Sequence, residues 1–238
     1  MCTLTWLPSP GGGYDLFFNR DELDRRGPEI APAIRIKDTV RTVAPRDSEH
    51  GGTWISLNEF GLTACLLNYY PDSSYGTGHQ EAVTLFRSRG ELPDKVADAR
   101  ALHDVHSRIQ KIDLRDYRPF HLVTIAAEGE GLWCRWDGID LTIGTAPSFL
   151  TSSSFRTQEV ERIRRERFEA ISERSRLGLR EFHRGGPSLP SAESIRMRRP
   201  DGRTRSMTEI SVGSGERRLV YERLQWEEGE GIREEFVL

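Results

Sequence analysis

Near the start of the chain, polar and apolar positions alternate as a half-buried strand requires. Thr3-Leu4-Thr5-Trp6 is followed, beyond a Gly11-Gly12-Gly13 turn, by Tyr14-Asp15-Leu16-Phe17-Phe18. A hairpin of this kind returns Asn19-Arg20-Asp21 to the side of Cys2. Strand patterns continue at 34–36, 53–57 and 62–68, the last two joined by Asn58-Glu59-Phe60-Gly61. Residues 23–32, 43–52 and 71–78 read as loops. Helical spacing appears over 80–89 and 93–110, where Val96, Ala99, Leu102, Val105 and Ile109 share a face. Strand patterns return at 120–127, 132–136 and 139–143. Thr151-Ser152-Ser153-Ser154 reads as a hydroxyl-rich loop capping a long helix over 158–182, with Val160, Ile163, Phe168, Ile171, Leu179 and Phe182 at helical spacing. A loop at 185–190 precedes closing strands at 203–212, 218–224 and 232–237. Blocks of strands and blocks of helices, without strict βαβ alternation or internal repeat, predict one α+β domain over residues 1–238.

Composition narrows the class. The 238 residues are long enough for a substantial core, and 9% aromatic content argues for a folded chain despite 30% charged residues. A net charge of −3 gives no global basic field for nucleic acid. The arginines around 162–167 are balanced by glutamates, so a nucleic-acid stripe is not expected there either. No apolar run reaches the roughly 20 residues that span a bilayer, and the N-terminus lacks the basic and apolar regions of a secretory signal. Cys2, Cys65 and Cys134 are far apart, without the spacing of a disulfide framework or zinc site. His103 and His106 share a helix face but lack a third ligand, so no metal is expected. A cytoplasmic protein with a small-molecule substrate or ligand is expected, with no cofactor and an oligomeric state that the sequence leaves open.

The chemistry concentrates at Cys2. Removal of Met1 makes Cys2 the N-terminal residue, carrying a thiol and an α-amine whose reference pKa is about 7.7–8.0. That amine can act as general base for its own side chain. The alternative is a small hydrophobe on a buried first strand. Asn68, at a strand end before Tyr69 and Tyr70, offers an amide donor for an oxyanion or simply starts a turn. Gly51-Gly52-Thr53-Trp54 allows a close backbone approach, with Trp54 as a pocket wall or a core residue.

Met1-Cys2, Asn19-Arg20-Asp21-Glu22, Gly51-Gly52-Thr53-Trp54 and Leu67-Asn68-Tyr69, in this order, resemble the NRDE family, the transport and Golgi organisation protein 2 family. Looser matches follow at Phe120-His121-Leu122, Thr204-Arg205 and Tyr221-Glu222-Arg223. The resemblance implies a four-layer αββα sandwich of the N-terminal nucleophile hydrolase type, acting on a linear amide or thioester. By that resemblance Cys2 is the nucleophile, Asp21 holds its α-amine and Asn68 donates to the oxyanion. Arg205 depresses the thiol pKa or clamps an anionic group. Asn19, Trp54, Tyr69 and Ser152 are candidate substrate-binding residues, Ser152 standing where a second asparagine is usual. The arginine usual three residues before the aspartate is replaced by Phe18. Arg20 can take its role only if the turn aims it at the thiol, since adjacent strand residues face opposite ways. The family also implies a rival: a carrier that binds haem or an acyl-CoA-like lipid in the same pocket without turnover.

Overall fold

The computed structural model describes residues 2–71, 86–185, 190–224, 226 and 231–238. The expected hairpin forms from β1 (Cys2–Pro8) and β2 (Tyr14–Leu23), in a register that pairs Cys2 with Arg20 and Leu4 with Phe18. Its turn requires glycine: Gly13 has φ +95°, and a Cβ there would lie 2.0 Å from the Val212 carbonyl oxygen. Strands β3 (Ile30–Lys37), β4 (Val40–Arg46), β5 (Ile55–Asn58), β6 (Thr63–Asn68), β7 (Phe120–Ile125), β8 (Gly131–Trp136) and β9 (Leu141–Thr145) follow one another as an antiparallel meander. The other sheet runs β10–β1–β2–β12–β13–β14, built with β10 (Phe149–Ser152), β12 (Gly202–Gly213), β13 (Glu216–Arg223) and β14 (Ile232–Val237); the short β11 (Arg198–Arg199) pairs with β12.

Alternation along these strands creates two apolar faces per sheet, so four layers follow. Leu4, Leu16, Phe18 and Ile210 of one sheet meet Ile55, Leu57, Leu67 and Val123 of the other between the sheets. On the outside of the meander, Leu62, Ala64, Phe120 and Leu122 pack against α1 (Glu91–Val96) and α2 (Leu102–Ile109). On the outside of the first sheet, Phe17 and Phe149 pack with residues of α3 (Thr157–Glu169) and α4 (Arg176–Arg184), Phe168 and Leu179. This is the αββα sandwich. Among the described residues no helix is long and apolar enough to cross a membrane.

Several expected elements change under tertiary packing. The helix expected over 93–110 is two, because buried Asn58 donates its side-chain amide to the Ala97 and Ala99 carbonyls, and Asp104 accepts from the Arg100 and Ala101 N–H groups to start α2. The helix expected over 158–182 also breaks, and Ser175 caps its second half through Gly178 N–H. The loop expected at 151–154 is in part strand: Thr151 and Ser152 belong to β10, paired with Thr3 and Cys2. The loops read at 23–32 and 43–52 contain the ends of β3 and β4. Most of the loops read at 71–78 and 185–190, and most of the helix read at 80–89, lie outside the described residues; residues 86–89 are not helical.

Candidate active site

At the open end of the sandwich lies a cleft of about 450 Å³, whose lining includes Cys2, Arg20, Trp54, Leu66, Asn68 and Arg89. Cys2 is buried at its floor. The antiparallel register places Arg20 directly across from Cys2, so both side chains share one face of the hairpin. Arg20 therefore does face the thiol, on the same face as Phe18 but two residues closer to the cleft. Its guanidinium stacks 4.1 Å from the Trp54 ring centre. Glu22, Glu29 and Asp47 surround it at 3.2, 3.5 and 3.6 Å. Glu29 is in turn held by Tyr221 Oη at 3.1 Å and Arg223 Nε at 3.0 Å, which gives the late Tyr221-Glu222-Arg223 motif a physical link to the site. The Gly51-Gly52 pair serves a close approach: a Cβ on Gly52 would lie 2.6 Å from the Gly90 backbone, and Thr53 N–H donates to Gly90 O at 2.9 Å.

Asp21 borders the same cleft, but its carboxylate is held from the helical layer. Oδ2 accepts from both terminal nitrogens of Arg164 at 3.1 Å, and Oδ1 accepts from Thr204 Oγ1 at 2.6 Å. Arg164 is fully buried and also donates to Thr3 Oγ1 at 2.9 Å and Thr151 Oγ1 at 3.1 Å, the residues next to Cys2 and Ser152. Sequence reasoning missed Arg164. One signal was present: Val160, Arg164 and Phe168 are the buried positions of α3 at i, i+4 spacing, so an arginine occupies the middle of the apolar stripe.

Ser152 lies beside Cys2. Its Oγ accepts a hydrogen bond from the Cys2 backbone N–H at 3.3 Å, because β10 pairs with β1 at this position. Asn68 lies at the end of β6 on the cleft and donates Nδ2 to Tyr70 Oη at 3.2 Å. Three other candidates lie elsewhere. Asn19 is buried on the helical side, donating to the His183 and Ile195 carbonyls. Tyr69 packs on His121, 4.7 Å between ring centres. Arg205 sits where the β12–β2 register shifts between Thr204 and Ser206, and binds the carbonyls of Leu23, Asp24 and Arg26, fastening the loop after β2. Bulge geometry, which no spacing rule reveals, turned it away from the cleft.

Burial dominates the electrostatics of the thiol. It pushes the Cys2 pKa up to about 11, opposed by the N-terminal ammonium and less by Arg20, with Asp21 and Glu22 adding to the rise. The thiol is thus protonated at neutrality unless a base takes its proton. Nearby, burial followed by the Arg118 and Arg26 cations lowers the Arg89 pKa. Asp47 stays below its ordinary range: burial works against this, but N–H donation from His50 and the charge of Arg26 outweigh it. No cluster of metal-ligating side chains is found among the described residues.

The family model for Transport and Golgi organisation 2 matches residues 1–173. The chain belongs to that family. No curated protein matches the sequence at a significant level. Among solved structures, the fold is similar to penicillin V acylase from Agrobacterium tumefaciens, with a TM-score of 0.57 at 14% identity over 93% of this chain and 83% of that one. It is also similar to the Caenorhabditis elegans ortholog of N-acylethanolamine-hydrolyzing acid amidase, with a TM-score of 0.58 at 9% identity over 88% of this chain and 92% of that one. A mutant of conjugated bile acid hydrolase from Clostridium perfringens gives a TM-score of 0.58 at 11% identity, covering 100% and 96% of the two chains. Identities this low establish a shared fold, that of the N-terminal nucleophile hydrolases, and leave the chemistry of this family member to its own residues.

Proposed function

We propose that the protein is a hydrolase of a linear amide or thioester, with Cys2 as nucleophile after Met1 is removed. The observation that carries this reading is the Cys2 nitrogen, which donates to Ser152 Oγ at 3.3 Å on the residue whose thiol lines the cleft. With Met1 gone, that nitrogen is a primary amine and Ser152 is positioned as its acceptor. The amine takes the thiol proton as sulfur attacks the substrate carbonyl carbon and the C=O electron pair moves to oxygen. Asn68 Nδ2 serves as donor to that oxyanion. Collapse re-forms the carbonyl and expels an amine or thiol, which takes the proton from the α-ammonium. The resulting acyl-Cys2 thioester is attacked by water, whose proton goes to the same amine, and acid and thiol are released. Asp21, fixed by Arg164 and Thr204, supplies the negative charge that favours the ammonium form.

The test is intact mass combined with trapping. The purified protein is expected to lack Met1 and to gain an acyl group from a panel of amides and thioesters, whereas Cys2→Ala gains none. Equal trapping by the variant, or a functional protein that retains Met1, overturns the reading. One observation favours a carrier instead: the burial that pushes the thiol up to about 11. A carrier of haem or an acyl-CoA-like lipid binds its ligand saturably in Cys2→Ala as well. Absence of a Soret band on haem titration, together with no acyl-CoA binding, ends that alternative.

A further inference from the structure

The cleft holds several cations, and they are not equivalent. Arg20 is surrounded by Glu22, Glu29 and Asp47, and Arg26 by Asp47 and Glu49 at 2.9 and 3.5 Å. Arg87 at the rim pairs with Glu91 at 2.5 Å. Arg89 differs. It is half-buried, lines the cleft with Cys2, and has no carboxylate partner among the described residues. Among the described residues its one hydrogen bond runs from Nη1 to the Pro119 carbonyl at 2.8 Å, and the rest of its planar N–H fork has no acceptor there. The backbone beneath it is fixed by the Gly90 O to Thr53 N–H bond, so the guanidinium is carried on a set wall. A partly desolvated arginine that has no counter-charge among the described residues is suited to an oxyanion supplied by a ligand, which offsets its desolvation. Within an otherwise largely polar lining, Trp54, Leu66 and Phe86 supply the apolar surface of the cleft.

We propose that Arg89 is the anion-binding residue of the cleft, and that the cleft takes an amphiphile: an apolar chain bearing a carboxylate or phosphate group. The inference rests on the reading above only in taking the Cys2 cleft as the ligand site; it does not require turnover. It also reassigns the clamp that the sequence suggested for Arg205, whose Nη2 is turned to the backbone carbonyls of the loop after β2 rather than to the cleft.

The experiment is a titration of the full chain with octanoate, octyl phosphate and uncharged octanamide, followed by tryptophan fluorescence, since Trp54 walls the cleft. The anions are expected to bind at least about tenfold more tightly than the amide, the factor that one charge-assisted hydrogen bond supplies. Arg89→Gln is expected to remove the preference, while Arg115→Gln, an exposed arginine paired with Asp113 away from the cleft, keeps it. The ratio of octyl phosphate to octanoate affinity identifies which oxyanion is preferred. Equal binding of anions and amide, binding of none of the three, or a preference that survives in Arg89→Gln overturns the proposal. Loss of acyl trapping in the earlier test with the anion preference intact would remove the hydrolase and leave the anion site standing.

Discussion

The two faces of the β1–β2 hairpin solve opposite problems with the same ingredients. Towards α3, Thr3, Asp21, Thr151 and Arg164 form a closed network in which one guanidinium meets one carboxylate and two hydroxyls, and all four side chains are buried. Towards the cleft, Cys2, Arg20 and Ser152 sit on the alternate positions of the same strands. There one guanidinium is shared by three carboxylates and a tryptophan ring, at the edge of solvent-accessible space. The closed face fixes where the strands are, and the open face presents groups that a ligand can reach. Pleating divides the Asn19-Arg20-Asp21-Glu22 motif between them, one residue at a time.

The closed face should therefore fail hardest when broken. Arg164→Met leaves the Asp21 carboxylate buried without its cation, and removing one partner of such a pair costs about 3–5 kcal/mol. Urea unfolding of the variant is expected to show a loss of that size. Asp21→Asn added to Arg164→Met should restore much of it, because no uncompensated charge remains. A loss below about 1 kcal/mol for Arg164→Met would mean that this face is no more rigid than an exposed ion pair.

Much of this division was legible before the structure. Strand composition in residues 3–6 and 14–18 pointed to the hairpin, and the Gly11-Gly12-Gly13 turn placed the Asn19 end beside Cys2. The face of Arg20 was not legible, because it depends on pairing register, and a slip of one residue inverts both faces. Arg164 was hidden for another reason: it contacts Asp21 across 143 positions and sits in a run of arginines whose other members are solvated. Ser152 was read as loop because its hydroxyl-rich neighbourhood resembles a helix cap; the strand becomes evident only once Thr3 and Thr151 exchange a side-chain hydrogen bond at 2.9 Å. The broken helices follow the same logic, since Asn58 and Ser175 intercept backbone groups that local spacing assigns to a continuous helix.

A second test sharpens the contrast through pH. His183 lies fully buried on the closed side, its Nε2 2.9 Å from Thr5 Oγ1, stacked on Phe17 and beside Phe182. Burial, with the Arg164 charge adding to it, lowers its pKa to about 3. The unfolded chain binds a proton there below about 6.5, whereas the fold does not until about 3. Stability from this group is complete above about 6.5 and falls as pH drops below it. The loss is worth about 2 kcal/mol by pH 5. Comparing unfolding at pH 7.5 and pH 5, His183→Gln should show a dependence smaller by about that amount. An unchanged dependence would place the acid sensitivity elsewhere, with His121 the next candidate, since burial lowers it to about 3 as well.

The smallest effect is expected on the open face. Arg20 lowers the Cys2 pKa, but its field is already largely taken up by Glu22, Glu29 and Asp47. Arg20→Gln removes a cation from beside a thiol, so the sign is fixed: less thiolate at any pH, and slower alkylation of Cys2. Because the three carboxylates remain, the displacement of the alkylation–pH curve should be upward yet less than about one pH unit. Iodoacetamide labelling read by mass spectrometry at Cys2 measures it, with Cys65 as a buried internal reference. A shift of several units would make Arg20 the principal activator of the thiol, and the cleft face would then depend on one cation as completely as the closed face depends on Arg164. A downward shift would mean that the carboxylates, not the arginine, set the potential at the sulfur.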